Sequence, residues 1–576
     1  MPTRPFTGNP SQAIVEQLAA SGVKYVFYNS GSREALFFDA LHAQGQVHGI
    51  LALHEGSVTA MAGGYSQVRG DPAVMSVHLG AGLAQSMGQL INIWSGSLPV
   101  VVITFAGDTG SYADRISLDL GHNAGPASIT APLTKANWTV IEPHGLPAVV
   151  ERAIRVATTP PIGPVHIALY DRLLGPGPVS TNIIGGPVRP LRAGYPSDAD
   201  VEELARALHE AERPVIYVGD GAWKSGAEGK LAAVAEYFGA VVASMWGDLR
   251  GVPVAHPQHA GYFWQPVIDL KPDHIVCVGV RHGGAGHPED YAPFAGAKRT
   301  VAVGSDVEIF ENVPGLDRAI YADEFRALER LDELVKSEPE PARYAARRRW
   351  ARQQSATLRA ERRRQLQPAQ PVPGRVRPLA LLDAVDAAVE RAGGGYITTE
   401  QFAVPLECVQ EKQGGGSVVY IRPAGGSEGF GMGAPLGAKL AAPDRPVVGL
   451  VGDGSVYYSD SALWTAAHHR IPVLYVIANN GGYGIVAGAF DRAGGTMHRD
   501  RTYAGVVLDR IDIVKIAESF GVEGKRVDDE RTVADAIARG LDTVEREGRP
   551  LLLDIKLPLG LPDGGKAAVQ FQLGKG

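Results

Sequence analysis

Between residues 10 and 180 short apolar runs alternate with stretches of helical period. "PSQAIVEQLAASG" carries apolar residues at helical spacing and leads into "KYVFYNSG", a strand that stops at a Gly/Ser turn. "HGILALHE", "SVTAMAGGYSQV", "PAVMSVHLG" and "LPVVVITFAG" continue the alternation. Apolar runs bounded by turn residues and separated by helices predict βαβ units and a mainly parallel sheet. The pattern returns at 196–340, with "PVIYVGDG", "AVVASMW", "HIVCVGV" and "RTVAVGSD", and again at 379–560, with "RPVVGLVGDG" and "VLYVIANN". The expected fold is therefore α/β, three doubly wound domains at 1–180, 196–340 and 379–560. Residues 181–195 read as a Gly/Pro-rich linker. Residues 341–378 read as an Arg-rich solvated helix feeding a Pro-broken connector, and 561–576 as a tail of weak pattern.

Composition narrows the function classes. The 576 residues carry a formal charge of −7, and no Lys/Arg run suggests a nucleic-acid surface. Two cysteines, Cys277 and Cys408, exclude a disulfide framework and a Cys-rich metal site. The first 22 residues lack the apolar core of a secretory signal, and no run reaches the roughly 18 apolar residues of a membrane span. A soluble, cytoplasmic protein is the default expectation.

The densest chemistry lies in "GDGSVYYSDSALWTAAHHRIPVLYVIANNGGYG" at 452–484. Asp453 and Asn480 both fall at the carboxyl ends of consecutive strands, where open α/β sheets bind ligands. A carboxylate, an amide oxygen and a backbone carbonyl, completed by phosphate oxygens, form a set that suits Mg²⁺. Gly454 and Ser455 open the following helix, whose free N–H groups attract phosphate. A turn acid with an Asn cap is the structural alternative, but GDGS, helix, strand and NNGGYG in that order favour a metal-bridged diphosphate.

This stretch resembles the cofactor motif of the thiamine-diphosphate (ThDP) enzymes, and the likeness extends over nearly the whole chain in a pyrimidine-binding, central and diphosphate-binding layout. "GDGSVYYSDSALWTAAHHRIP" is especially similar to benzoylformate decarboxylases; acetolactate synthases are further relatives. The resemblance implies that Asp453, Asn480 and the Gly482 carbonyl hold Mg²⁺, with Tyr483 beside them. It also implies that Glu55, in "LALHEGSVTAMAGGYSQVRG", bonds the aminopyrimidine and activates the cofactor. It further implies a homo-oligomer, dimer or tetramer, in which Glu55 of one chain serves Asp453 of another. Taken alone, a Glu at a helix start is a dipole partner or cap.

Four places could surround the reacting carbon. "FYNSGSRE" offers Ser32, "SVHLGAGLAQSMG" offers His78, "VPVAHPQHAG" offers His256 and "LDLGHNAGPASITAPLTKANW" offers His122; the first three match active-site segments of benzoylformate decarboxylases. Histidine suits proton traffic near neutral pH. His54 and His469 read as structural. The family bends its cofactor over a bulky apolar residue. In "PAGGSEGFGMGAPLG" that position falls on Glu428, or on Met432 if the register shifts. A carboxylate there, and the Gly- and charge-rich "IVAGAFDRAGGTMHRDRTY" after the asparagines, depart from the decarboxylase pattern. In the central domain no GxGxxG follows "VIYVGDGAW", so a degenerate nucleotide fold is expected.

The leading expectation is a ThDP- and Mg²⁺-dependent, non-oxidative decarboxylase of a small 2-oxo acid with carboligase side activity. The alternatives are an acetolactate-synthase-like carboligase, a lyase of 2-hydroxyacyl thioesters, 2-hydroxy ketones or cyclic diketones, a flavin or nicotinamide oxidoreductase, and a non-catalytic ThDP-binding protein.

Overall fold

The computed structural model describes residues 3–568 apart from 107–125, 189–190, 246–249, 263–264, 282–293, 295, 312, 314, 338, 367–369, 401–402, 406–407, 410 and 413–415. Among the described residues three six-stranded parallel sheets dominate. The first runs, edge to edge, His48–Leu51, Tyr25–Tyr28, Ala73–His78, Val100–Ala106, Val165–Tyr170, Ala136–Val140. The third runs Val418–Ile421, Gly395–Thr399, Val447–Gly452, Leu474–Asn479, Leu551–Lys556, Glu523–Val527. Numbered along the chain, both sheets have the order 2-1-3-4-6-5. The central sheet runs His259–Tyr262, Val241–Ser244, Pro214–Val218, His274–Val278, Arg299–Gly304, Arg318–Tyr321, the order 3-2-1-4-5-6 of dinucleotide-binding folds. The three α/β units expected from the apolar pattern are thus present. No described helix is long and apolar enough to cross a membrane.

Because the first and third sheets share one topology, their helices correspond. Helix α1 (Glu55–Arg69) and helix α2 (Leu79–Ser95) follow the second and third strands of the first sheet. In the central unit lie α3 (Glu324–Lys336) and α4 (Ala342–Leu366). In the third, α5 (Phe430–Ala441) and α6 (Asp453–Ser459) follow the second and third strands, and α7 (Gly484–Arg492) follows the asparagines. The counterparts α1 and α5 pack directly on each other, with Val58, Met61, Ala62, Met432, Ala434 and Leu436 in one continuous buried core.

Their approach is set by glycine. A Cβ on Gly437 would lie 1.9 Å from the Met61 carbonyl oxygen, and one on Gly64 would lie 2.1 Å from that of Ala434. Backbone, not a flexible side-chain tip, is in the way, so the helices would have to separate.

Two expectations are corrected. Residues 181–184 belong to a strand, Val179–Ile184, that pairs antiparallel with Thr3–Gly8. The Arg-rich segment is not simply solvated, because α4 buries Tyr344, Arg347, Ala351 and Ser355 against the central unit. Arg347 donates to the carbonyls of Leu208 (2.7 Å) and His209 (2.6 Å), at the end of the Asp198–Glu210 helix. That fork satisfies orphan helix carbonyls, a use of arginine that charge counting along the sequence does not show. The tail contributes a short strand, Lys566–Ala568, beside Thr502–Ala504.

Two stability predictions follow from these contacts. Gly437→Ala should lower the unfolding free energy by about 2 kcal/mol or more, measured by chemical denaturation. Glu324 is buried and its carboxyl is pushed up to about 7 by desolvation. A raised acid favours the fold while protonated, so its contribution is full below pH 4.5 and lost as pH rises through 7. Glu324→Gln should remove that component, up to roughly 3 kcal/mol, from the pH dependence of wild-type stability.

Candidate active site

Asp453 begins α6 immediately after the buried strand Val447–Gly452, at the carboxyl edge of the third sheet. Only 4% of it is exposed, and burial raises its carboxyl to about 6 against the pull of backbone N–H groups of Gly454 and Gly481. No cationic side chain among the described residues forms an ion pair with it. The Lys556 charge lowers its carboxyl too, but burial outweighs that pull, and a bound cation would relieve the cost.

The neighbouring strand ends in two asparagines with different tasks. Asn479 turns inward and donates to Asp554 Oδ1 at 2.7 Å, tying adjacent strands together. Asn480 stays at the edge, where its Oδ1 accepts the Gly482 N–H at 3.1 Å. Gly482 could not be another residue, since its Cβ would lie 2.1 Å from the Val506 carbonyl oxygen. Gly454 is equally constrained, because a Cβ would meet the Tyr483 ring at 2.6 Å. The Asp453 carboxylate, the Asn480 amide oxygen and the Gly482 carbonyl are hard oxygen donors of the kind Mg²⁺ accepts.

Ser455 lies in the first turn of α6. Its Oγ donates to Glu428 Oε2 at 2.6 Å, so its hydroxyl serves the neighbouring turn rather than standing free. Glu428 precedes Gly429, whose φ of +96° lets the chain turn sharply into α5. The Glu428 carbonyl accepts from Gln89 Nε2 of α2 at 2.7 Å, which docks this turn on the first domain. Beneath it lies Glu400, 1% exposed, whose Oε1 takes the N–H groups of Gly429 (2.9 Å) and Gly431 (2.6 Å). Burial, then the nearby Glu428 charge, raises the Glu400 carboxyl well above the carboxylate range, and burial raises Glu428 as well. Glu400 escaped the sequence reading; an acid directly after the strand "GYITT" at the sheet's switch point was the available signal. Met432 lies fully buried in the α1–α5 core, and its carbonyl accepts the Tyr475 hydroxyl at 2.8 Å. Phe430, also fully buried, is the bulky apolar residue nearest the turn and packs toward Gly63 of α1.

The first domain supplies a second cluster. Glu55 is the first residue of α1, capped by His54, whose Nδ1 accepts the Gly56 N–H at 2.9 Å. Its carboxylate lies against Gly82, where a Cβ would come within 2.9 Å of Oε1. His78 ends the third strand, and its Nδ1 sits 2.8 and 2.9 Å from the two oxygens of Glu34, a carboxylate only 1% exposed. Gly31 makes room for the ring, since a Cβ there would fall 1.9 Å from His78 Nδ1. Nδ1–H donating to a buried carboxylate fixes the tautomer and leaves Nε2 for external chemistry. Glu34 belongs to the same short turn, Ser32–Glu34, that exposes Ser32. The sequence reading singled out Ser32 and His78 but not the acid that joins them, which lies two residues beyond Ser32.

The other histidines separate from this cluster. His256 stays with its own domain, its Nε2 3.5 Å from Glu236 and its carbonyl accepting from Arg359 at 2.7 Å. His122 lies outside the described residues. His469 accepts the Leu51 N–H through Nε2 at 3.0 Å, the structural role expected of it. The charge-rich segment after the asparagines forms α7 and a knot in which Asp491 binds His498 (2.9 Å), Arg501 (2.8 Å) and Tyr503 (2.5 Å).

Comparison with known proteins agrees with this architecture. Residues 9–123 match the model of the thiamine pyrophosphate enzyme N-terminal TPP binding domain, 201–331 its central domain, and 415–555 its C-terminal TPP binding domain. The chain belongs to the thiamine-pyrophosphate, that is thiamine-diphosphate, enzyme family. Benzoylformate decarboxylase of Pseudomonas aeruginosa is 29% identical over 566 residues, covering 94% of this chain and 98% of that protein. Acetolactate synthase isozyme 3 large subunit of Escherichia coli is 25% identical, covering 98% of this chain and 96% of that protein. The solved structure of the thiamine diphosphate-dependent 4-hydroxybenzoylformate decarboxylase of Rhodococcus jostii RHA1 superposes with a TM-score of 0.78 at 26% identity. It covers 96% of this chain and 99% of that one.

The buried Asp453 carboxylate makes a prediction of opposite sign for stability and for binding. Asp453→Asn should make the cofactor-free protein more stable at pH 8 by roughly 1–3 kcal/mol. It should also abolish the rise in thermal midpoint that ThDP with Mg²⁺ gives the wild type.

Proposed function

We propose that this enzyme is a ThDP- and Mg²⁺-dependent decarboxylase of a 2-oxo acid, acting as a homo-oligomer. Asp453, Asn480 and the Gly482 carbonyl would hold Mg²⁺, with the diphosphate beside the start of α6. Glu55 accepts a hydrogen bond from the aminopyrimidine ring. ThDP, when bound, supplies a nucleophilic carbon and an electron sink for the pair released as CO₂ leaves. The protein's remaining task is proton management. His78, oriented by Glu34, delivers and recovers a proton through Nε2, and the Ser32 hydroxyl binds the substrate carboxylate. The Glu34–His78 dyad beside Ser32 is the observation that carries the decarboxylase reading. His122, which lies outside the described residues, is proposed as a further substrate contact. His256 would join them only by turning from Glu236.

A carboligase of the acetolactate-synthase kind is the second reading. Glu428 in the turn before α5 favours it, since a carboxyl there suits a substrate other than a simple aryl 2-oxo acid.

The deciding assay measures CO₂ and aldehyde from a panel of aryl and alkyl 2-oxo acids. The proposal expects stoichiometric CO₂ and aldehyde from at least one of them, with Glu55→Gln lowering kcat by about a hundredfold or more while the fold survives. Condensation of two 2-oxo acids with no aldehyde released would favour the second reading. Wild-type rates in Glu55→Gln would refute the role of Glu55.

A further inference from the structure

The central sheet has the strand order of a dinucleotide-binding fold, and its switch point lies between Pro214–Val218 and His274–Val278. A pyrophosphate would sit there on the glycine turns. That space is filled by the protein itself. The turns meet so closely that a Cβ on Gly221 would lie 2.7 Å from the Gly279 Cα and 2.6 Å from Glu324 Oε1. The Gly221 N–H is used by the Gly279 carbonyl at 3.0 Å. The Ser305 N–H and hydroxyl are used by Glu324 Oε1 at 3.0 and 3.1 Å. Asp220 adds a second acid, accepting from Trp223 Nε1 at 2.9 Å. With two carboxyls present and the backbone donors at these positions already used, a diphosphate finds no hydrogen-bonding place there.

The mouth of the crevice is cationic and faces the first domain. Arg250 stacks over the Trp223 ring at 4.4 Å and donates through Nη1 to the Gln67 carbonyl at 2.6 Å. Lys224 Nζ donates to the Gly96 carbonyl at 2.6 Å, and Arg281 donates to Ser97 Oγ. Gln67 lies in the last turn of α1, and Gly96 caps α2. Arg250 and Lys224 thus each meet the electronegative end of a helix whose other end carries Glu55 or His78. From Glu55 to Gln67 is about 18 Å along the axis of α1, short enough for the helix to move as a rod.

We propose that the switch-point crevice of the central domain grips α1 and α2 in place of a nucleotide, making Arg250 and Lys224 positioning residues for Glu55 and His78. The proposal rests on the assignment of Glu55 as the group that activates ThDP. Small displacements of a catalytic group cost rate steeply, so loosening the grip should act on activation before it acts on diphosphate binding.

The test follows exchange of the thiazolium C2 proton of bound ThDP with D₂O, by quenched NMR, in wild type, Glu55→Gln, Arg250→Ala, Arg250→Lys and Lys224→Met. Alongside it, ADP and FAD are titrated calorimetrically into the wild type. The expected result is exchange about tenfold slower in Arg250→Ala, with substantial recovery in Arg250→Lys and a smaller loss in Lys224→Met. The ThDP affinity of the variants should change by less than about threefold, and neither nucleotide should bind. If Arg250→Ala does not fold, Arg250→Lys and Lys224→Met carry the comparison. Folded Arg250 and Lys224 variants with wild-type exchange, while Glu55→Gln is slow, would overturn the grip alone. Wild-type exchange in Glu55→Gln would overturn the underlying assignment and the proposal with it. Stoichiometric binding of ADP or FAD would show the crevice open and contradict the proposal.

Discussion

The contact of α1 with α5 is the constraint on which the rest depends. Two helices from domains of identical strand order cross at backbone distance, because Gly64 and Gly437 leave no side chain between them. Glu55 stands at the start of one helix, and the Glu428–Gly429 turn leads into the other. Separating the helices by one methyl group would shift Glu55 and the Glu428–Gly429 turn together. The dense apolar core around them, with Phe430, Met432, Leu436, Met61 and Tyr65 buried together, holds that geometry rigid.

Electrostatic strain is concentrated at one edge of the third sheet. Asp453, Glu400 and Glu428 all have carboxyls raised by burial, and they lie on consecutive elements around the switch point. Such a cluster costs stability, and a bound cation or protonation would offset that cost. The first domain shows the complementary arrangement, where a buried Glu34 gives its charge to a histidine. One fold, used twice, thus carries a cluster of buried acids in one copy and an acid-steered imidazole in the other.

Much of this was legible in the sequence, for reasons that differ by element. Parallel strands buried on both faces read as apolar runs, so the three sheets were visible. GDG and NN stand at strand ends, so Asp453 and Asn480 could be placed before any coordinates. Glu34 and Glu400 were not found, because each acts on a partner distant along the chain: His78 for one, the backbone of Gly429 and Gly431 for the other. The Ser455–Glu428 hydrogen bond spans 27 residues and is likewise not revealed by spacing alone. The buried face of α4 was hidden by its arginines, whose long stems and forked heads pack as well as they solvate.

The proposed site holds a divalent ion on Asp453, Asn480 and the Gly482 carbonyl beside a diphosphate. Crystals grown with ThDP and Mn²⁺ in place of Mg²⁺ test it directly through the anomalous signal of the metal. The account predicts one strong peak about 2.0–2.3 Å from an Asp453 carboxylate oxygen and the Asn480 amide oxygen, adjoining the cofactor's phosphates. Bound ThDP with no metal peak at that position, or a peak coordinated by other residues, would contradict it.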